Sequence, residues 1–353
     1  MKKWLKVALC ILLAVVLLVG GYVAYVFIDY HRLGDMTLTP EHNAGAAESG
    51  TVYTMISYNI GFGAYESDYG FFMDGGTESR AWSKERLTKN LTAISTFLQE
   101  QDADFYLLQE VDTNATRTYQ VDERAYFTEA LSGMSWVFCQ NYDSPYLMYP
   151  LLKPHGASQA GLMTFSTADI AAASRVELPI EGGFMKLLDL DRCYSVSRIP
   201  VSGGKELVLY NLHLSAYTSD GTIATEQLKL LLADMQAEYE AGNWCVAGGD
   251  FNKDLLGDSA AWFGEADQSY SWAQPIPAET FAGMDVSLAA PLDENDPVPS
   301  CRNADGPYHE GQYVLTVDGF LTTPNVTVSQ ATVLDTGFAW SDHNPVKMTF
   351  TLS

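Results

Sequence analysis

The feature that most limits the possible folds of this chain is an N-terminal run of 22 residues without a charged side chain, Val7 to Ile28. In a helix this run is about 33 Å long, which is enough to cross the hydrocarbon core of a bilayer. It therefore predicts a transmembrane helix at 7–28, set apart from the part of the chain that follows it.

A cleaved signal peptide is the alternative interpretation of this run. Such a peptide has a shorter apolar stretch and ends in small residues, whereas this run ends in the bulky residues Tyr25 to Ile28. Lys2, Lys3 and Lys6 precede it. Because positive charge is retained on the cytoplasmic side, we expect residues 1–6 in the cytoplasm and the remainder outside, as in a single-pass protein of the cell membrane.

Composition divides the rest of the chain into two parts. Residues 29–50 are predicted to be a juxtamembrane linker, because the sequence from 33 to 50 is small, polar and rich in Gly and Ala, without apolar periodicity. From Val52 onward there is no comparable break and no repeat. We therefore expect residues 51–353 to form a single domain.

Net charge restricts the partners that this domain can have. Residues 33–353 contain 16 basic and 43 acidic side chains, a net charge of −27. Such a surface repels polyanions, which counts against broad, non-specific binding of nucleic acid. A local cationic or metal-neutralised cleft is still compatible with it.

Four cysteines lie outside the apolar run: Cys139, Cys193, Cys245 and Cys301. They can form two disulfides, or they can be buried free thiols within strands. No Cys-x-x-Cys spacing occurs, so a zinc site is not expected.

Strand-like and helix-like stretches alternate through the domain, which is typical of an α/β protein. Strands are predicted at 52–58, 105–108, 206–212, 244–247, 314–317, 326–328 and 346–352. One helix is predicted from a cap at Ser83 to the acidic stretch 100–104, and a second at 223–240. The stretch 254–312 is rich in Pro, Gly and Asp, and is expected to form long surface loops of the kind that line binding sites.

Polar side chains recur where these strands end. They are Asn59, Gln109-Glu110, Asn211 with His213, Asp250 with Asn252, Asp318, and Asp342-His343 before the last strand. Taken singly, each is an ordinary cap, turn or solvent-facing residue. Six such positions in succession are not independent accidents, because loops at strand ends are where converging side chains form sites.

The residue types at these positions suit one kind of chemistry. Glu110 is a hard oxygen donor suited to Mg²⁺. Asn211 and His213, two residues apart, project from the same face of a strand. Asp342 and His343 place a metal ligand beside a group that titrates near neutrality.

The ordered set resembles the endonuclease/exonuclease/phosphatase superfamily, and the resemblance covers about residues 52–352. Its most specific elements are Gly249-Asp250-Phe251-Asn252 and Ser341-Asp342-His343. The resemblance implies an α/β fold, a four-layer α/β sandwich in which two packed mixed β-sheets are flanked by helices. It also implies that residues 51–353 are a catalytic domain that cleaves phosphoester bonds with a divalent metal.

The resemblance further implies roles for individual residues. Asn59, Glu110 and Asp342 would hold Mg²⁺ or Mn²⁺. The catalytic set would be His213, Asp250, Asn252, Asp318 and His343, with Asp250 acting on the attacking water and Asp318 orienting one imidazole. Asn211 and Asn252 would bind the substrate, and which histidine is base and which is acid is left open.

The sequence departs from the family pattern at one point. The family often has a basic or aromatic phosphate-contacting residue before the segment that here reads 158–163, and no Arg or Lys is present there. Arg302 and Tyr308, in the long loop, are the candidates to replace it.

The substrate is left open between a lipid headgroup, a nucleic acid and a small phosphodiester. Tethering to a membrane favours a lipid headgroup or another envelope-associated phosphodiester, and aromatics near Trp262, Tyr270 and Trp272 are candidates for lipid contact. The alternatives are an extracellular deoxyribonuclease-like endonuclease and a catalytically inactive, membrane-anchored binding module. No protein partner is implied.

Overall fold

Two packed β-sheets follow a long N-terminal helix in the computed structural model, which describes residues 2–30, 32–42, 45–182, 190–216, 222–264 and 272–353. The helices are α1 (Lys3–Asp29), α2 (Lys84–Gln101), α3 (Arg124–Ala130), α4 (Thr222–Glu240) and α5 (Ser259–Phe263). The strands, in chain order, are β1 (Met36–Leu38), β2 (Val52–Asn59), β3 (Phe105–Asp112), β4 (Ser135–Asp143), β5 (Gln159–Ser166), β6 (Ala172–Glu177), β7 (Cys193–Val201), β8 (Lys205–His213), β9 (Trp244–Asp250), β10 (Ser287–Ala289), β11 (Cys301–Arg302), β12 (Val314–Leu315), β13 (Asp318–Thr322), β14 (Val326–Val333) and β15 (Val346–Leu352).

The strands form a seven-stranded sheet, ordered β1-β6-β7-β8-β9-β13-β10, and a six-stranded sheet, ordered β14-β15-β2-β3-β5-β4. The remaining two, β11 and β12, pair with each other as a short ribbon. Each sheet is mixed. β2 pairs with β3 in parallel, and β8 with β9, while the other ladders between these strands are antiparallel. The helix between each parallel pair, α2 or α4, is the crossover that such a pair requires. The predicted four-layer α/β sandwich is confirmed.

Side-chain alternation along the strands separates the layers. On β8, Leu207 and Leu209 join the core between the two sheets, whereas Val208 and Tyr210 pack on the side of α4. Because successive side chains of a strand point to opposite faces, residues at positions 207, 209, 211 and 213 share the inner face. The same rule places the odd-numbered residues of β2 and β3 between the sheets.

The two long crossover helices follow the sequence prediction closely. Ser83 caps α2 by accepting a hydrogen bond from the Arg86 N–H at 3.1 Å, and the chain leaves the helix at Asp102 in a left-handed conformation. The apolar stripe Leu87, Leu91 and Ile94 is fully buried against the six-stranded sheet. Amphipathic spacing and a good N-cap account for the helix without further information.

The N-terminal helix α1 is exposed along most of its length, with Val26 as its one buried residue. It has a mean hydropathy of 2.8 and none of its most apolar window is buried by the rest of the chain. By length and composition it is able to cross a membrane, and its position near the N-terminus is also that of a signal sequence.

The segment predicted as a juxtamembrane linker contains a short strand that joins the seven-stranded sheet. Residues of β1 pair with β6, and the Ala47 N–H donates to the Pro200 carbonyl at 2.8 Å. The buried guanidinium of Arg175 donates to the carbonyls of Leu33 and Gly34 at 2.7 and 3.0 Å. Sequence patterns missed this because a three-residue edge strand is held by backbone pairing, which leaves no apolar period to detect.

Two further expectations change in the structure. The predicted strand 314–317 is a two-residue ribbon, so Asp318 begins β13 instead of ending the strand before it. The loop region 254–312 contains the short elements α5, β10 and β11 within irregular chain. The cysteines are all unpaired thiols, which decides between the two alternatives for them.

Candidate active site

Strand register brings most of the predicted polar residues to one edge of the sandwich. Asn59 is paired with Gln109 across β2 and β3, and His213 with Asp250 across β8 and β9. Asp318 is also paired with Asp250, because β13 runs antiparallel to β9 and starts where β9 ends. An aspartate at the start of one strand therefore lies beside residues at the ends of the others.

Glu110 reaches this edge through a bulge. The pairing of β3 with β5 shifts between Leu108 and Val111, and Glu110 has a left-handed backbone with φ of 58°. In regular strand geometry its side chain would point away from the inner face, so the bulge is what redirects it. A non-glycine residue held at positive φ is strained, and such strain is common at functional sites.

Asn59 connects the two sheets at the site. Its amide N–H₂ donates to Glu110 Oε1 at 3.2 Å and to Asp250 Oδ2 at 3.1 Å. Its oxygen accepts the Gly61 N–H at 3.0 Å. The amide therefore fixes the separation of two carboxylates from different sheets, and the structure places it as a bridge between the predicted groups.

The segment at 341–343 is fixed by backbone contacts. Ser341 Oγ donates to the Asn59 carbonyl at 2.8 Å and accepts the His343 N–H at 3.1 Å. The Arg302 N–H donates to the Asp342 carbonyl at 2.9 Å. These bonds hold Asp342 and His343 against β2 and the ribbon that contains Arg302.

Both predicted catalytic imidazoles face the same carboxylate. His213 Nε2 lies 3.5 Å from Asp250 Oδ2, and His343 Nε2 lies 3.8 Å from the same oxygen. His343 Nδ1 is 2.8 Å from Asp318 Oδ2, which also accepts a hydrogen bond from Ser300 Oγ at 2.8 Å. This contact is the geometry that the orienting role predicted for Asp318 requires.

The pKa values of the two histidines are shifted in opposite directions. For His213, burial and the nearby Arg192 guanidinium hold the pKa well below its ordinary value. For His343, burial acts in the same direction, but Asp318, together with Cys301 and Asp342, outweighs it, and the pKa lies well above its ordinary value. The site thus contains one neutral and one protonated imidazole near neutral pH, and groups with diverging pKa values are the usual basis of acid and base roles.

The pKa values of the carboxylates of the site are raised. Burial is the main cause that raises the pKa of Glu110, of Asp342 and of Asp250, and Asp342 raises that of Glu110 further. The Oδ1 atom of Asp318 is buried without a hydrogen-bond partner in the described part of the chain. Hard oxygen donors that repel one another in this way fit a divalent cation such as Mg²⁺.

Three side chains form a compact metal-competent group that differs from the predicted ligand set. Asp250, Asp318 and His343 each offer a ligand atom, and these atoms lie within 4.8 Å of one another. However, His343 Nδ1 is already bonded to Asp318. Glu110 and Asp342, which line the same pocket, have no such bond to an imidazole of the described residues and remain the better candidates.

The pocket that these groups line encloses about 150 Å³ and contains cations that sequence reasoning missed. Arg117 and Arg192 both line it, as does Arg302. The Arg117 guanidinium donates to both oxygens of Asp112 and stacks 3.9 Å from the centre of the Phe62 ring. No motif surrounds Arg117 or Arg192 in the sequence, so only the tertiary structure identifies them.

The two candidates for the missing phosphate contact are placed differently. Arg302 forms part of the pocket wall, but its guanidinium donates to the carbonyls of Gly306, Glu66 and Tyr69. Tyr308 is not among the lining residues and packs its ring against Phe338. Arg302 is therefore a positive charge in the wall with its hydrogen bonds directed elsewhere.

Three predicted site residues, Asn59, Asp318 and Asn211, are not among the residues that line the pocket. Asn59 and Asp318 bond to residues that do line it, whereas Asn211 does not. It lies on the inner face of β8, one step deeper than His213, where its amide donates to the carbonyls of Leu108 and Met163 and accepts from Gln109. Asn252, in contrast, lines the pocket, with its amide donating to the Leu214 carbonyl at 2.7 Å. Asn211 links the sheets beneath the site.

The aromatics considered for lipid contact do not form one surface. Trp262 is 37% exposed on α5, whereas Trp272 lines the pocket and packs against a small apolar cluster. Tyr270 lies outside the described residues.

A sequence profile of the Endonuclease/Exonuclease/phosphatase family matches residues 56–343. The chain belongs to this family, whose members hydrolyse phosphoester bonds. No curated protein sequence matches the chain.

Solved structures of the family share its fold. An endonuclease/exonuclease/phosphatase from Beutenbergia cavernae DSM 12333 superposes with a TM-score of 0.56 at 18% identity, over 86% of this chain and 72% of the other. ANGEL2, described as a 2′,3′-cyclic phosphatase, gives 0.54 at 16% identity over 90% and 99% of the two chains. The human Nocturnin catalytic domain gives 0.54 at 16% identity over 90% and 97%. At these identities the likeness establishes the fold alone.

Proposed function

We propose that this chain is a divalent-metal-dependent phosphodiesterase that acts at the outer surface of the cell membrane. The observation that carries the proposal is the arrangement around Asp250, where two imidazoles with opposite pKa shifts face one carboxylate beside Glu110 and Asp342. Arginines in the same pocket supply positive charge for a phosphate despite the acidic surface.

Glu110 and Asp342 would hold the cation, Mg²⁺ or Mn²⁺, which when bound supplies positive charge to a phosphate oxygen. Asn59 would then act by fixing Glu110 relative to Asp250. We assign this role to Glu110 and Asp342 because both carboxylates are buried and Asp342 repels Glu110.

The protein's own groups would move the protons. His343, protonated and oriented by Asp318, is placed to donate a proton to the leaving oxygen. Neutral His213 and Asp250, whose Nε2 and Oδ2 atoms lie 3.5 Å apart, would together orient and deprotonate the attacking water. Asn252 would hold a phosphate oxygen from the wall of the pocket.

The location follows from α1 and the charges before it. The apolar helix supports anchoring, and Lys2, Lys3 and Lys6 support a cytoplasmic N-terminus with the catalytic domain outside. A deoxyribonuclease-like activity is the main alternative. It is disfavoured by the charge of −27 on residues 33–353.

The test is a substrate panel on the full-length protein in lipid nanodiscs with Mg²⁺. The panel contains bis-p-nitrophenyl phosphate, supercoiled DNA, phospholipids, sphingomyelin and inositol phosphates. We expect hydrolysis of phosphodiesters that Glu110→Gln abolishes, while Glu123→Gln, a buried acid that does not line the pocket, retains it. Full activity in Glu110→Gln, or activity on DNA alone, would refute the proposal in its present form.

A further inference from the structure

The loop between β4 and β5 presents an uncharged, apolar tip. Residues 146–152, here called the 146–152 loop, have the sequence Tyr-Leu-Met-Tyr-Pro-Leu-Leu. Leu151 and Leu152 are 80% and 102% exposed, and Tyr149 is 68% exposed. Of the twelve exposed large hydrophobic side chains beyond α1 in the described residues, five belong to this loop. Such a concentration on an otherwise strongly acidic surface marks an interaction site.

The base of the loop is held firmly, so the exposed tip is not the result of a loose segment. Leu147 and Gly156 exchange two backbone hydrogen bonds at 3.1 and 3.0 Å. His155 Nδ1 bonds to the Ser79 carbonyl at 2.9 Å, and Arg80 Nε donates to the Pro154 carbonyl. The fold therefore keeps the side chains of Leu151 and Leu152 exposed to water. This exposure is unfavourable in free energy unless an apolar partner covers the two leucines.

The loop also lies directly against the membrane helix. The Tyr22 hydroxyl donates to the Tyr146 carbonyl at 3.1 Å and accepts the Met148 N–H at 3.0 Å, and the Tyr25 hydroxyl accepts the Tyr146 N–H at 3.1 Å. Asp29 ends the helix seven residues after Tyr22, which is about 10 Å along its axis. The backbone at 146–148 is thus level with the last turns of the apolar run.

The position of the 146–152 loop beside the last turns of α1 indicates what covers its apolar surface. If α1 spans a bilayer, its last turns lie in the outer leaflet, where Tyr22 and Tyr25 hold the interfacial position that tyrosines favour. Backbone groups at that depth need partners within the protein, and the tyrosine hydroxyls supply them for Tyr146 and Met148. The occupant is the bilayer that surrounds α1, because the loop continues the same apolar surface.

The loop is connected to the catalytic pocket through a row of rings. Tyr149 lies 5.7 Å from Phe72, Phe72 lies 6.0 Å from His155, and His155 lies 5.9 Å from Phe71. Phe71 and His155 both line the pocket, as does Tyr142 near the end of β4. One wall of the pocket is therefore continuous with the apolar tip.

We infer that the 146–152 loop inserts into the outer leaflet beside α1, and that the substrate is the phosphodiester headgroup of a lipid in that leaflet. The acyl chains lie along Leu151 and Leu152 while the headgroup enters the pocket past the wall formed by Phe71 and His155. The choice of substrate rests on the proposed phosphodiesterase activity, whereas insertion of the loop rests on its exposure and its contacts with α1.

Insertion is tested without reference to activity. A Leu152→Cys variant in a Cys10→Ser background carries an environment-sensitive fluorophore, in full-length protein reconstituted into vesicles of phosphatidylcholine and phosphatidylglycerol. Val52→Cys is the matched control, because Val52 is 63% exposed at the other end of β2 from Asn59. We expect blue-shifted emission and quenching by spin-labelled lipid at position 152 alone. Emission at position 152 that matches Val52, or that is shifted but not quenched by the lipid, overturns insertion.

The substrate is tested with a paired assay in the same vesicles. We expect Leu151→Asp with Leu152→Asp to lower headgroup release at least about tenfold, equivalent to about 1.4 kcal/mol, and to leave hydrolysis of bis-p-nitrophenyl phosphate unchanged. Leu230→Asp, at a position of α4 that is 48% exposed, should change neither rate. Undiminished lipid hydrolysis in the double variant overturns the inference. If the wild type hydrolyses neither substrate while the position 152 probe is quenched, the proposed function and the lipid substrate fail together and only insertion stands.

Discussion

Replacing Asp318 by Asn tests the proposed catalytic arrangement at a single atom. In the wild type, Asp318 Oδ2 lies 2.8 Å from His343 Nδ1 and accepts the Ser300 hydroxyl at 2.8 Å, and both side chains of the pair are buried. An asparagine oxygen is able to take over both contacts, with its N–H₂ at the position of Oδ1, which lacks a partner among the described residues. The substitution therefore removes the charge with little change of shape.

The expected loss of activity in Asp318→Asn depends on how much the Asp318 charge contributes to catalysis by His343. General acid–base catalysis contributes about 10²- to 10⁴-fold, so losing the protonated form of His343 should lower kcat by a factor in this range, about 2.7–5.4 kcal/mol in the barrier. Folding stability should fall less, by about 1–3 kcal/mol, because one buried N–H₂ is left unsatisfied. Activity and stability should thus separate clearly.

The pH profile gives the most specific readout. Asp318 holds the pKa of His343 above its ordinary value against the effect of burial. Without the carboxylate the pKa falls, so the limb of the kcat profile that reports His343 moves to lower pH, whether the group acts as acid or as base. Assays use bis-p-nitrophenyl phosphate with Mg²⁺, alongside thermal unfolding of each variant.

Asp335→Asn is the matched control, since Asp335 is an exposed acid that caps a turn and has no described contact with His343. It removes the same formal charge and should leave rate and profile unchanged. A wild-type rate in Asp318→Asn, or a reduced rate with an unmoved pH profile, would refute the assignment of His343 and Asp318.

Three other outcomes follow from the structure. Glu110→Gln keeps an acceptor for Asn59 but loses the charge. Mg²⁺ affinity, measured by titration calorimetry, should therefore fall by more than the factor of about 10 to 100 that is typical when a residue supporting a ligand is changed. Equal affinity would exclude Glu110 as a ligand. Burial and the neighbouring Asp112 hold the pKa of Glu123 well above its ordinary value, so the native state retains a proton that the unfolded state releases. The wild type therefore loses stability as pH rises above the unfolded pKa, and urea unfolding should show Glu123→Gln gaining on the wild type between about pH 5 and about pH 8; a constant difference would contradict this. Gly249 has φ of 152°, and a Cβ there would lie 2.0 Å from the Leu212 carbonyl oxygen. Gly249→Ala should therefore lower the unfolding free energy by at least about 1–3 kcal/mol and displace Asp250. Gly257→Ala, where a Cβ meets no atom within 4 Å, should leave activity unchanged.

The sequence by itself predicted several of the elements and the polar residues at their ends. Hydrophobic periodicity and the Ser83 cap predicted α2, and period-two alternation predicted β15 at its observed bounds. The polar residues at strand ends also followed from sequence, because a strand that stops being apolar marks its own end. These are local signals, set by neighbours within a few positions along the chain.

Only the tertiary structure decided how these residues are aimed. Asn211 and His213 share one face of β8, but Asn211 lies between the sheets while His213 reaches the pocket at the rim. Glu110 enters the site through a bulge on β3, and Asp318 through the antiparallel direction of β13. Register, bulges and strand direction depend on pairing with distant segments, so they leave little trace in local composition.

The same reason explains what was missed. Arg117 and Arg192 reach the pocket from segments without a motif, and β1 is held by backbone bonds to β6. The sequence shows that residues 146–152 are apolar, but such a run resembles the end of an ordinary strand. Their exposure, and their position beside Tyr22 and Tyr25, exist only once the membrane helix and the sheet are placed together, because contacts across more than a hundred residues are fixed by packing rather than by local pattern.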